Sequence, residues 1–388
     1  MLHSFTRLII VLMLAMAFNA CKKDQEIPAV ADKTFAVDPE FEKELFRRHI
    51  DNILNGVIRD ADVKNIKELS LQGISAIKSL KGIEHFENLT SLTIFDVKID
   101  SLDLSKNTKL EYLFCKTIGA EGGTSSLVYL NVKNCRALKF LNCSDNLLSE
   151  LDVSGNPALT YLAFSTNRNI KEIDLSANVA LDTLECAVYN LTKLDVSKNV
   201  RLRSINCQSV SINSLDFSML PDLKALDVRS SSVSEIKFKN AGLLEELLIT
   251  GSKVTFADPA VFSKIHTLHF GSGQFSTNLS SLPELRILNL YNIKATAIDL
   301  SGNKNLETIL LYECAFNELN LANNTKLKEL SLYTLPNLKA LDLSRAVDLT
   351  FFGSLLNKAL KTICVSKIPD PLGMGWSKDE WSTYVLCK

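Results

Sequence analysis

The sequence repeats itself every 20 to 22 residues, and that period limits what the chain can fold into. The most regular stretch runs from Leu138 to Leu202 and contains two alternating phrases. One phrase reads Leu138, Leu141, Cys143, Asn146, Leu148. Its second Leu returns as Leu162, Leu184, Ile205, Leu226, Leu247, Leu268, Leu288, Ile309 and Leu330. The other phrase reads Leu151, Asp152, Val153, Ser154, Asn156. Its ladder runs through Leu130, Leu151, Ile173, Leu194, Leu215 and Ile236, then resumes at Ile298, Leu319 and Leu341. Alternation over three positions in each phrase predicts a short strand. Such a unit cannot bury its apolar side alone, so successive units must stack into a solenoid. A solenoid also grows by stacking, so 388 residues need not divide into several globular domains. Asn107, Asn156, Asn178, Asn199, Asn303 and Asn324 recur just after a strand, where a carboxamide can serve the backbone groups of a buried turn.

The bulk chemistry excludes little else. Hydrophobic residues make up 46% of the chain, an ordinary globular share. Lysine and arginine number 43 against 44 acids, so the basic bias that nucleic acid requires is missing. Arg7 precedes an apolar run from Leu8 to Phe18, too short to span a bilayer and suited to an export signal. Residues 21–37 lack periodicity and read as a flexible tether. Asp38 and Pro39 open a helix, with Phe41, Leu45 and Phe46 as its apolar side. Residues 38–65 are therefore expected to form a helical cap over the first coil, with the solenoid spanning 66–355 in about twelve coils. Asp51, Asn55 and Gly56 have the spacing of a calcium loop, but Ile53 supplies no oxygen, so a plain glycine turn is favoured. Residues 119–126 read as a loop insertion and 254–285 as a distorted coil.

Leu138 to Leu148 follows the pattern Leu-x-x-Leu-x-Leu-x-x-Asn-x-Leu, with Cys143 in place of the third Leu. On these residues the chain resembles leucine-rich repeat proteins, over about residues 38–388. The nested Leu-Asp-Val-Ser-x-Asn half resembles the short bacterial class of Bacteroidetes surface lipoproteins, and the N-terminal cap resembles that of internalins. The resemblance implies a mainly β solenoid of short stacked parallel strands with a cap at each end. It implies binding rather than catalysis, with a protein or glycan as partner and no cofactor. Phe18 to Asp24 resembles a bacterial lipoprotein signal, although Phe18 stands where Leu is usual. That likeness implies removal of residues 1–20, a lipid on Cys21, and an outer-membrane, surface-exposed location. Two other readings stay open: a right-handed β-helix polysaccharide lyase, and an envelope component without a ligand. Residues 356–388 read as a closing cap, with a capping box from Ser377 to Glu380 starting a helix and Trp376, Trp381 and Tyr384 as its apolar payload. Cys364 and Cys387 flank this unit and are expected to pair.

Candidate sites follow from the register. Tyr291, Tyr312 and Tyr333 each follow the third Leu of their strand, 21 residues apart, with Glu313 beside them. Earlier coils carry Ser165, Ala187, Gln208, Arg229, Thr250 and Gly271 there. Three rings in register suit a glycan or peptide, or simply stiffen the sheet. Asp103, Asp152, Asp174, Asp195, Asp216, Asp299 and Asp342 share one outward position. Their repulsion must be offset by the Ser two residues on, by amides, by Lys193 or Lys198, or by a cation. Cys143, Cys186 and Cys207, with Cys115 offset, fill the inward third-Leu slot as inert thiols, and Cys135 takes the corner Asn position. His266 and His269 have no convergent ligand and read as exposed strand residues. No nucleophile elbow, zinc-protease helix or phosphate loop is present.

Overall fold

The computed structural model describes residues 32–117, 127–256, 259–271, 273–274, 278–369 and 375–387. The export signal, Cys21, most of the tether and the 119–126 insertion lie outside the described residues. The fold is a parallel β-solenoid of about 14 turns. Its front wall is one sheet of fifteen strands, from Glu68–Gln72 to Trp376–Ser377, all paired in parallel. Twelve coils was therefore an undercount. The irregular stretch still supplies a front strand, Thr267–Gly271, and the C-terminal residues supply more.

The Leu ladder read from the sequence is the pairing register itself. Leu141, Leu162, Leu184, Ile205, Leu226, Leu247, Leu268, Leu288, Ile309 and Leu330 are successive Cα partners. All are buried, because each side chain completes the slot left by its neighbour one coil away. The back wall is discontinuous. Strands pair at Ser101–Asp103 with Tyr129–Asn131, at Ser214–Phe217 with Glu235–Phe238, and across Ala340–Asp342, Thr362–Val365 and Thr383–Leu386. Between them, Leu151, Ile173 and Leu194 keep the position without strand pairing. A groove of ≈ 870 Å³ opens there, lined by Lys133, Asp152, Asp174 and Lys193 among others.

The corner asparagines carry the turns. Each of the six is fully buried, and its Nδ2 donates to two carbonyls of the preceding coil. Their Oδ1 atoms accept nothing in the described structure. The corner thus needs a donor and not an acceptor, which explains Cys135. Its Sγ donates to the carbonyls of Leu104 and Asn107 at 3.3 and 3.6 Å.

Both ends differ from expectation. The N-terminal unit is not purely helical: Thr34–Ala36 (β1) pairs antiparallel with Val57–Arg59 (β2), so ordered structure begins inside the expected tether. Pro39–Arg47 (α1) is capped by Asp38, which accepts from the amides of Glu40 and Phe41. Phe41 and Leu45 are buried, but Phe46 is exposed, because it lies about 100° round the helix from Leu45. The calcium-like loop is a turn: Asp51 and Asn55 accept from the amides of Ile53 and Val57, and Gly56 has φ +80°. At the C-terminus the expected helix from Ser377 does not form. Asp379 is buried and accepts from the amides of Leu356 and Asn357 and the Ser354 hydroxyl. Stacking on the preceding turn outweighs the local capping signal, and the segment completes another coil. Cys364 and Cys387 are joined as a disulfide, with Cα atoms 5.6 Å apart.

Candidate ligand-binding face

Three side-chain rows stand on the outward side of the front wall, set by strand alternation. Tyr291, Tyr312 and Tyr333 are direct Cα partners in the row nearest the strand ends, preceded by Gly271 and followed by Leu355. Tyr291 is 44% exposed, and Tyr312 and Tyr333 are half-buried. Tyr312 and Tyr333 lie 6.1 Å apart at 42°. Among the described residues, no ring contact joins Tyr291 to Tyr312. Ile287, Phe351 and Leu355 are exposed on the same strands, so the rings belong to a wider apolar patch on the late coils.

Glu313 is in a different situation. It has φ +55° and sits in the turn, where its amide donates to the Tyr333 carbonyl at 2.8 Å. The same left-handed conformation recurs one residue after the row at Asp96, Asp145, Thr166, Ser209, Ser230, Asn292, Thr334 and Leu356. A left-handed residue at this step ends the strand and turns the chain towards the core. Glu313 is thus placed at the rim by coil geometry.

A second aromatic group was not singled out from the sequence. Tyr112, Phe140 and Tyr161 are Cα partners at the first position of early strands. Their rings stack at 4.5 and 4.4 Å, inclined by 11° and 5°. The Tyr161 hydroxyl donates to Glu185 Oε1 at 2.7 Å, closing the stack, and burial and that carboxylate hold the phenol well above its ordinary range. The signal was present as three aromatics, each one residue before a ladder Leu. Phe95 and Phe114 add a tilted pair 6.0 Å apart. Another missed row lies at the near edge of the wall, where charges alternate along the stack. Glu111 meets Lys139, Lys224 meets Glu245, and Glu307 meets Lys328.

Between the aromatic groups the wall is polar. Arg229 holds Asp227 through Nε and Nη2, the latter at 2.7 Å. His269 is more buried than an exposed strand histidine, and burial, reinforced by Arg229, lowers its pKa to about 4. His266 is half-buried, 3.8 Å from Glu245.

The Asp ladder is a row of turns. In Asp103, Asp152, Asp174, Asp195, Asp216, Asp299 and Asp342, Oδ1 accepts from the amide two residues on. Hydrogen bonds from the Ser hydroxyl and amide hold Asp152, Asp216, Asp299 and Asp342 below the usual carboxylate range. Asn131, Asn278 and Asn320 make the same turn without charge. The position therefore selects an acceptor rather than a cation ligand. Among the described residues, no three His, Cys, Asp or Glu side chains converge as a metal site.

The inward thiols are buried, and Cys115 is in the same row as Cys143, not offset from it. The register aligns it with Ile94 and leads directly to Cys143. Phe164 then interrupts the row before Cys186 and Cys207. Burial pushes the thiols of Cys143 and Cys186 up to about 12 and those of Cys115 and Cys207 upward as well, which removes the thiolate needed for reaction. Cys314, at the signature's Asn position, is raised to about 11 by burial.

No protein-family model and no curated protein matches the sequence. Solved structures do. The functional domain of InlJ from Listeria monocytogenes, which includes a cysteine ladder, superposes with a TM-score of 0.70 at 27% identity, covering 86% of this chain and 76% of that one. The internalin InlF from the same species superposes with a TM-score of 0.62 at 19% identity, covering 84% and 97%. The leucine-rich repeat protein LIC12759 from Leptospira interrogans gives 0.60 at 17%, covering 78% and 85%. With the repeat register, the corner ladder and these superpositions together, the chain is a leucine-rich repeat protein by fold.

Proposed function

We propose that the chain is a non-enzymatic binding protein whose front wall receives a protein or glycan on its late coils. Tyr291, Tyr312 and Tyr333 form the contact, with Glu313 at its rim. The observation that carries this reading is the change of surface without a change of core. From Thr267–Gly271 to Phe351–Leu355 the ladder residues stay buried, while the outward rows gain Tyr291, Tyr312, Tyr333, Ile287, Phe351 and Leu355. Exposed aromatic and aliphatic side chains on a rigid sheet have the composition of a recognition patch. A protein partner fits the apolar breadth of the patch, and a glycan fits the uncovered ring faces. In the same proposal, a lipid on Cys21 holds the chain at the outer surface of an outer membrane.

The test is a glycan array and a pull-down with the intact chain, repeated with Tyr291→Ala, Tyr312→Ala and Tyr333→Ala combined. Loss of the captured ligand by at least about thirtyfold, the weight of a single hot-spot residue, with an unchanged melting profile, is the expected result. Undiminished capture by the triple variant rules the patch out. Recovery of the acylated N-terminal peptide by mass spectrometry tests Cys21.

A further inference from the structure

The N-terminal unit exposes a surface that stacking leaves unexplained. α1 buries Phe41 and Leu45 against the solenoid, whereas Phe46 is 42% exposed. In the loop that follows, Ile53 and Leu54 are 63% and 50% exposed. The end of that loop is drawn back along α1, because the amides of Asn55 and Gly56 donate to Glu42 Oε1 at 2.8 and 2.7 Å. Glu42 and Phe46 are four residues apart and share a helix side. Phe46, Ile53 and Leu54 are thereby gathered on one side of the unit.

Of the acids on α1, only Glu40 is not buried, and it pairs with Lys43 at 2.7 Å. Glu42 and Glu44 are buried. Lys43 and Arg47 expose most of their side chains, and Arg47 and Arg48 share the single carboxylate of Glu44. Apolar side chains rimmed by outward cations match the boundary between acyl chains and headgroup phosphates.

We propose that this side of the N-terminal unit lies on a phospholipid bilayer, with Phe46, Ile53 and Leu54 entering the interface and Lys43, Arg47 and Arg48 meeting the phosphates. The proposal rests on the reading of Cys21 as the lipid anchor. Cys21 precedes Asp32 by 11 residues, at most about 40 Å of extended chain, so the N-terminal unit is the part held closest to the membrane. The contact sets the solenoid's orientation and keeps the tyrosine coils at the far end, clear of the lipid.

The test places an environment-sensitive fluorophore on Ile53→Cys in the full-length chain. The six free native cysteines of the described residues are buried, and Cys21 is acylated or replaced by Ser. Vesicles are phosphatidylcholine with and without phosphatidylglycerol, carrying doxyl-labelled lipid as quencher. In the anchored chain the probe should be blue-shifted and quenched, while the same probe on Val347→Cys, exposed near the other end, should not respond. Phe46→Ser combined with Leu54→Ser should reduce the quenching about fivefold or more as the interfacial apolar area is lost. An anchored chain with an unquenched probe at 53 overturns the docking and leaves the anchor standing. If the wild-type chain is not acylated, the anchor reading fails by itself. Docking is then judged on the Cys21→Ser chain with phosphatidylglycerol vesicles, where the double variant should lower partitioning about tenfold. No partitioning there, or a double variant that changes only self-association or protein capture, overturns it.

Discussion

Two sets of three aromatic residues sit on one sheet, in register, and do opposite things. Tyr112, Phe140 and Tyr161 stack face to face at about the spacing of the strands that carry them. Their faces are used on each other, and Glu185 takes the last hydroxyl. Tyr291, Tyr312 and Tyr333 stand two rows further along, beside the left-handed turns. There Tyr312 and Tyr333 are splayed to 6.1 Å and 42°. Ring faces that are not paired within the protein remain available to a ligand. Register alone therefore does not distinguish a closed stack from the open row proposed as a contact face; the ring geometry does.

Three experiments break or sharpen this contrast. The largest effect should come from the end of the solenoid nearest the tyrosines. Replacing Cys364 and Cys387 by Ala opens a loop of 23 residues, and by the chain-entropy estimate costs about 3 kcal/mol. Because each coil contacts only its neighbours, hydrogen exchange should rise in residues 329–365 and stay unchanged around the early stack. Uniform loosening along the chain would contradict that locality. A smaller effect separates the two aromatic groups. Phe140→Ala removes two stacked contacts and should cost about 1–3 kcal/mol, without altering ligand capture. Tyr312→Ala should cost under about 1 kcal/mol and reduce capture. Denaturant melts of the two variants, read beside the pull-down, decide the matter, and equal destabilisation would mean the late ladder is structural too. The smallest effect tests the left-handed turns that follow the strands in both regions. Thr166 and Thr334 are β-branched residues at φ +66° and +55°, so Gly at either should stabilise by about 1 kcal/mol. A loss of stability in both variants would show that these side chains do more than endure the turn.

Much of this architecture was legible beforehand, for a physical reason. A stacked coil makes the same demand every 21 residues, so the demand appears in the sequence as a period. The Leu ladder, the corner Asn residues and Cys135 were read correctly because each serves backbone or core groups one coil away. The tyrosine row was legible for the same reason. The ends were harder to read, since nothing repeats there. Ser377 to Glu380 has the local signature of a helix start, yet Asp379 instead serves the amides of Leu356 and Asn357.

By itself, then, the sequence determined the repeat, the inward and outward sides of each strand, and which residues meet across coils. Only the tertiary structure decided what those meetings amount to. Cys115 joins the row of Cys143 because Tyr112, Leu113 and Phe114 pair with Phe140, Leu141 and Asn142 just before it. Phe46 faces outward because the helix buries only one side. The early rings close on one another while the late rings stay open, one row starting its strands and the other ending them beside a left-handed turn. Periodicity fixes partners along the stack, whereas the angle at which partners meet depends on the backbone around them, and that is set only when the coils are packed.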